Sequence, residues 1–197
     1  DWTADLARIR RLQASLPGDM TLYADANECL DIENASRRLD ALRELGLLYC
    51  EEPLPVELIQ ERAALRAGER LPIIADDSCF TPRALRRELA LNTFDVLNIK
   101  TPRTGYSDSL TMLKAGVSAG KGVMVGSQAC AGLGAAQAGL FAALPEVDHP
   151  SEISFFLKVK EDIVTQPMPI NAGYVRLADI AAVRLDRDRL RAAAVVE

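Results

Sequence analysis

The chain has 197 residues, 49% of them apolar and 26% charged, with 23 Lys and Arg against 28 Asp and Glu and a formal charge of −5. That composition excludes a disordered or fibrous chain. The acidic balance and the lack of a clustered basic stripe exclude nucleic-acid binding, and no apolar run approaches the roughly 20 residues of a membrane-spanning helix. No membrane and no nucleic acid leaves a small molecule as the expected partner.

Cys29, Cys50, Cys79 and Cys130 occur singly, without a C-x-x-C pair or a histidine at zinc-ligand spacing, which suits a reducing, cytoplasmic setting. The chain opens on Asp1 with no charged and apolar leader, so it is expected to be a piece of a longer protein.

The first predicted helix carries Leu6, Ile9, Leu12 and Leu16 at three-to-four spacing and stops at Pro17-Gly18. A short strand, 20–24, then runs into Asp25. Leu39, Leu42 and Leu45 mark the next helix and Gly46 closes it, before a strand at 47–50 that ends in Glu51 and Glu52. A third helix holds Leu58, Ile59 and Leu65, ends at Gly68, and precedes a strand at 73–75 followed by Asp76 and Asp77. Thr81 as N-cap with Pro82 behind it starts a fourth helix, after which 96–99 form a strand ending at Lys100. A fifth helix, capped near Ser107 or Asp108 and closed by Gly120, leads to a strand at 123–125 and then Gly126, Ser127 and Gln128. An Ala-rich helix at 131–144 precedes a sixth predicted strand at 153–157. Residues 174–180 and 184–191 read as a terminal stretch and a solvated helix.

Strands that alternate with helices through short turns build a parallel sheet covered by its crossover helices, an α/β fold. Asp25, Glu51, Asp76, Lys100 and Ser127 follow one another at intervals of 26, 25, 24 and 27 residues, each just past a strand. A (β/α) TIM-type barrel places its active site at that end of every strand, whereas an open doubly wound sheet gathers ligands at one crevice, so the barrel is expected. Six predicted strands against a barrel's eight make it partial. Residues 1–197 are then the C-terminal part of a barrel, with 160–197 as a terminal segment.

Three carboxylates gathered in one cavity repel unless a cation lies among them. Asp25, Glu51 and Asp76 are therefore expected to bind a metal, and an all-oxygen set favours Mg²⁺, with Mn²⁺ as the alternative. Their neighbours Glu52 and Asp77 would support these ligands from behind. An ammonium next to a dication is electrostatically disfavoured, which disposes Lys100 to act as a base on the proton α to a substrate carboxylate, through a metal-stabilised enediolate.

The strings YADAN at 23–27, CEEPLP at 50–55, IIADDS at 73–78 and NIKTPRTG at 98–105 resemble the successive strand ends of the enolase superfamily, in its muconate lactonizing enzyme and mandelate racemase branch. The resemblance implies Asp25, Glu51 and Asp76 as Mg²⁺ ligands, Lys100 as acid/base, and Asn27 with Asp77 around the metal. It implies a racemase, epimerase or cycloisomerase acting on a carboxylate, with a sugar-acid dehydratase or a non-catalytic truncated scaffold as alternatives. It also implies an N-terminal capping domain and an opposing lysine pair that this chain lacks, so the chain alone is not expected to turn over. The expected partners are a small-molecule carboxylate and further copies of the chain in a homo-oligomer.

His149 lies late, in EVDHPSE, and reads as a loop residue, which points to the lysine-based type. The loop GSQACAGLG puts Ser127, Gln128 and Cys130 at a candidate substrate pocket, with Cys130 where many relatives have a glutamate. The usual Gly-Gly after the sixth-strand lysine of such barrels is Gly105-Tyr106 here, which changes the pocket wall. Gly132-Leu133-Gly134 is a poor dinucleotide fingerprint, since Gln137 stands at its last place. It reads instead as a helix of small residues that packs closely.

Overall fold

A computed structural model describes residues 1–194. The chain forms two compact units, Asp1–Leu97 and the part from Asn98 on.

In the first unit, helix α1 (Trp2–Ser15) is started by Asp1, whose carboxylate accepts the Thr3 N–H at 3.1 Å. Its apolar stripe is only partly covered: α1 buries no residue fully, Leu6 and Ile9 are half-buried, and Leu12 stays 46% exposed. Strand β1 (Ala24–Asp25), helix α2 (Ile32–Glu44), strand β2 (Cys50–Glu51), helix α3 (Ile59–Ala67), strand β3 (Ile73–Ala75) and helix α4 (Pro82–Leu91) follow. The strands β1, β2, β3 and the first half of β4 (Val96–Ile99) are parallel neighbours in chain order. Asp25 lies opposite Glu51, Glu51 opposite Ile74, and Ile74 opposite Val96.

Helices α2, α3 and α4 each bury apolar residues, as their spacing predicts: α2 buries Ala35, Leu39 and Leu42, α3 Leu65 and α4 Leu85, and Ile73, Ile74, Phe94 and Leu97 complete the core. Burying each of these Leu, Ile and Phe side chains contributes about 1.5–3 kcal/mol, which holds these short strands together. Thr81 caps α4 by accepting the Ala84 N–H, and Asn92 ends it in the left-handed region at φ 54°.

In the second unit, helix α5 (Thr101–Ser118) starts directly after the strand, with Lys100 in the N-cap position. Beyond a break at Gly105 the helix resumes close to the start expected near Ser107 or Asp108. Pro102 at the start of the helix favours a first turn there, and Gly105 at φ 70°, ψ 165° kinks the helix before it continues. Strand β5 (Gly122–Val125) follows and lies beside the end of β4, where the Gly126 N–H bonds to the Ile99 carbonyl at 3.0 Å.

The predicted sixth strand at 153–157 does not form; residues Phe155–Lys158 make a 3-10 turn instead. The N–H groups of Val123 and Val125 on β5 are taken by side chains, Asp148 Oδ1 at 2.8 Å and Ser151 Oγ at 3.2 Å, rather than by carbonyls of another strand. Five strands are therefore present among the described residues.

Helix α6 (Gly132–Ala142) packs on the terminal stretch, which contains α7 (Leu177–Ala182) and α8 (Arg187–Ala193). Ala135, Ala136, Phe156, Val164, Met168, Ile180 and Val183 form one buried cluster. The stretch 174–180 is thus part of the core through Ile180, while α8 buries nothing, as expected of a solvated helix. Among the described residues no helix is long and apolar enough to cross a membrane.

Candidate active site

The ends of β1, β2 and β3 are tied to one another by backbone bonds that continue past the strands. Ala26 N–H bonds to Glu51 O at 2.9 Å, Glu28 N–H to Glu52 O at 2.7 Å, Leu30 N–H to Pro53 O at 3.0 Å, and Glu52 N–H to Ile74 O at 3.0 Å. Asp25 turns its own loop, its Oδ1 accepting the Asn27 N–H at 2.9 Å. Asn27, Glu28 and Glu52 all adopt positive φ, at 42°, 62° and 37°. Three non-glycine residues in this costly region at adjoining strand ends mark backbone that its surroundings hold in place.

Asp25 and Glu51 are paired across the sheet, and Asp76 comes two residues after Ile74, the partner of Glu51. Alternation of side chains along a strand puts all three on one face. Asp25 is exposed, whereas Glu51 and Asp76 are buried. On the next residue back, burial pushes the Cys50 thiol up to about 12, helped by the charges of Asp25, Glu51 and Glu52. Their donor chemistry fits a hard dication: oxygen alone, from consecutive strand ends. They are not closed into a ligand cage, because among the described residues no three His, Cys, Asp or Glu side chains stand close enough to hold a metal as they lie.

Glu52 does something the sequence pattern did not specify. Its Oε2 accepts the Asp76 N–H at 2.9 Å, the Ser78 N–H at 3.0 Å and the Ser78 hydroxyl at 2.9 Å, while Oε1 lies 2.7 Å from Arg62 Nη2. Burial pushes the Glu52 carboxyl above its usual range, against the opposing pull of Arg62 and of the bonds from Ser78 and Asp76. Asp77, beside it, begins the 3-10 turn Asp77–Cys79.

The sequence reading missed Arg62 and Glu88. Their signal was a charge on an apolar helix face: Arg62 stands between Leu58 and Leu65, and Glu88 three residues after Leu85, so each falls where a buried residue belongs. Both are buried, at 1% and 0% exposure.

In the second unit, Lys100 directly follows β4 and is partly buried, its carbonyl accepting the Arg103 N–H at 2.9 Å. Asn98 is buried, and its amide covers Gly126 so closely that a Cβ there would lie 2.3 Å from Oδ1. Ser127 and Cys130 are partly buried and Gln128 is exposed, in the loop between β5 and α6. His149 lies in the loop that runs beside the start of β5, with Nδ1 2.7 Å from Asp148 Oδ1 and its ring over Gly122.

The glycines of α6 serve packing. Asp162 Oδ2 accepts the Gly132 N–H at 2.7 Å, and a Cβ on Gly132 would lie 2.8 Å from that oxygen. A Cβ on Gly139 would lie 2.9 Å from Ile180 Cδ1. A carboxylate already holds the start of this helix, which disfavours a pyrophosphate there.

Comparison with known proteins places this geometry in a family. Residues 1–183 match the model described as enolase C-terminal domain-like. The chain is 30% identical over 190 residues to an o-succinylbenzoate synthase of Geobacillus stearothermophilus, covering 95% of this chain and 50% of that protein. It is 30% identical over 171 residues to an N-succinylamino acid racemase of Thermus thermophilus, covering 86% of this chain and 46% of that one. The crystal structure of a mandelate racemase/muconate lactonizing protein from Herpetosiphon aurantiacus superposes with a TM-score of 0.85 at 26% identity, over 94% of this chain and 54% of that chain. The chain thus spans about half the length of the relatives it matches, and its α/β fold is that of the barrel-type C-terminal domains of the enolase superfamily.

Proposed function

Because the chain belongs to the enolase C-terminal domain-like family, we propose that it is the metal- and lysine-bearing part of an isomerase that exchanges the proton α to a substrate carboxylate. The substrate class this reading favours is an N-acylated amino acid or a similar small carboxylate, as the name of the Thermus relative suggests. The reading is carried by one observation: acidic residues end three consecutive parallel strands, with Asp25 and Glu51 directly opposed and Asp76 on the same face.

Asp25, Glu51 and Asp76 would hold the ion, Mg²⁺ or Mn²⁺, and that ion when bound supplies Lewis acidity to a carboxylate oxygen. Asn27 and Glu52 keep the ligand-bearing backbone in place, Asn27 through its N–H on Asp25 and Glu52 through the Asp76 N–H. Asp77, at the start of the following 3-10 turn, supports the same strand end. Lys100 Nζ takes the α-proton and returns it, serving one face of the α-carbon. Ser127, Gln128 and Cys130 contribute to the substrate pocket, and the protein works in the cytoplasm as a homo-oligomer.

The test is solvent deuterium exchange at the α-carbon of N-succinylamino acids, followed by NMR in the presence of Mg²⁺ with the full-length protein that contains this chain. Lys100→Ala lowers the exchange rate by about a hundredfold or more, the scale of a lost general base. Exchange at the wild-type rate in Lys100→Ala removes the lysine from the reaction.

A further inference from the structure

Two helices feed a chain of buried charge into the end of β3. On α4, Glu88 Oε2 accepts from Arg62 Nη1 at 3.0 Å and from the Thr93 hydroxyl at 2.6 Å, and Glu88 Oε1 lies 2.8 Å from Arg87 Nη2. On α3, the other terminal nitrogen of Arg62 lies 2.7 Å from Glu52 Oε1, an ion-pair contact without hydrogen-bond alignment. Glu52, at the end of β2, spends its remaining oxygen on three donors of the turn after β3: Asp76 N–H, Ser78 N–H and Ser78 Oγ–H. Glu52, Arg62 and Glu88 are each no more than 2% exposed.

We propose that Arg62 is a positioning residue for the Asp76 turn: anchored on Glu88, it aims the Glu52 carboxylate at the amides of Asp76 and Ser78 and so fixes the metal-binding end of β3. This rests on the reading of Asp76 as a ligand. The physical argument is one of alternatives. A buried charged trio is a poor source of stability, because apolar side chains of similar volume fill the same space as well or better. Apolar side chains cannot accept three hydrogen bonds from one turn. Glu52 can do so only from its left-handed backbone position at φ 37°, which needs a partner on the opposite side to hold it. Arg62 suits that task through its rigid fork, since its two terminal nitrogens reach two carboxylates on different elements.

The experiment has two readouts. In metal-free protein, amide hydrogen exchange is measured at Asp76 and Ser78. Arg62→Met accelerates it at both while Ile73 and Ile74 stay protected, and Arg62→Lys restores part of the protection. By calorimetry, Arg62→Met weakens Mg²⁺ binding about tenfold to a hundredfold, the range for groups that orient ligands. The double variant with Glu52→Gln is no weaker than Arg62→Met alone, because both act through one carboxylate. Unchanged exchange at both amides overturns the inference whatever the metal does. Unchanged Mg²⁺ affinity also overturns it, in a protein whose Asp76→Asn variant has lost Mg²⁺. Wild-type affinity in Asp76→Asn instead removes the metal reading, and the amide exchange still decides the positioning. Should Arg62→Met not fold, Glu88→Gln decides the same question: faster exchange and weaker Mg²⁺ binding support the inference, and wild-type values overturn it.

Discussion

Asp25 and Glu51 stand directly opposite each other on the parallel strands β1 and β2, one exposed and the other buried to 3%. Two carboxylates side by side at the end of a sheet repel, and a bound cation converts that repulsion into attraction. Mg²⁺ is therefore expected to raise the thermal midpoint of the protein. A ligand at a hundred times its Kd stabilises by about 2.7 kcal/mol. Asp25→Asn and Asp76→Asn lose most of that increment. Melting curves with and without Mg²⁺ measure it, and an undiminished increment in Asp25→Asn shows that this carboxylate takes no part.

The four thiols separate by environment. Cys29 is exposed, Cys50 and Cys79 are buried, and Cys130 is intermediate. Burial pushes the Cys50 thiol up to about 12 and raises Cys79 and Cys130 as well. The thiolate is the reactive form, so at pH 8 an alkylating agent labels Cys29 first, Cys130 more slowly, and Cys50 and Cys79 only on unfolding. Mass spectrometry of the native protein after a short exposure reads this order. Early labelling of Cys50 contradicts the packing of β2.

Two helix caps differ in their response to acid. Thr81→Ala removes the hydroxyl that caps α4 and costs about 1 kcal/mol at any pH, read from urea midpoints. Asp31 caps α2 through its bonds from the Asn34 side chain and backbone and an ion pair with Arg38. The Asn34 side chain, with its backbone N–H and Arg38, holds the Asp31 carboxyl below the usual range against the opposing effect of desolvation. The folded state thus binds fewer protons at Asp31 than the unfolded state does. Its stabilisation is present above the unfolded-state pKa and is lost as pH falls through the folded-state value. Asp31→Ala is accordingly destabilising at neutral pH, with a deficit that shrinks in acid; a deficit independent of pH contradicts the ionised cap.

Gly126→Ala places a methyl 2.3 Å from Asn98 Oδ1 and 2.6 Å from its Nδ2. Asn98 is buried, so it has little room to give, and the overpacking costs about 1–3 kcal/mol. Gly18→Ala is the control, with nothing within 4 Å of the added carbon, and leaves the urea midpoint at or slightly above wild type. Equal midpoints for the two variants contradict the close approach of Asn98.

The residue pattern alone was enough to set the alternation of helix and strand, the parallel pairing and the position of each acid at a strand end. All of these depend on local periodicity and on the short turns between elements, which leave a chain few ways to connect. It overran at 153–157, where an apolar run has the composition of a strand but Asp148 and Ser151 have already taken the β5 donors. It left out the separate turn at Thr101 and Pro102 ahead of the Gly105 break, which carries no apolar repeat. Packing in three dimensions set the reach of Glu52 forward to Asp76 and Ser78, and brought in Arg62 and Glu88, 10 and 36 residues further along the chain, to complete its surroundings. Such contacts join elements distant in sequence, and their partners are chosen by which helix faces pack together, a choice that no local pattern of residues encodes.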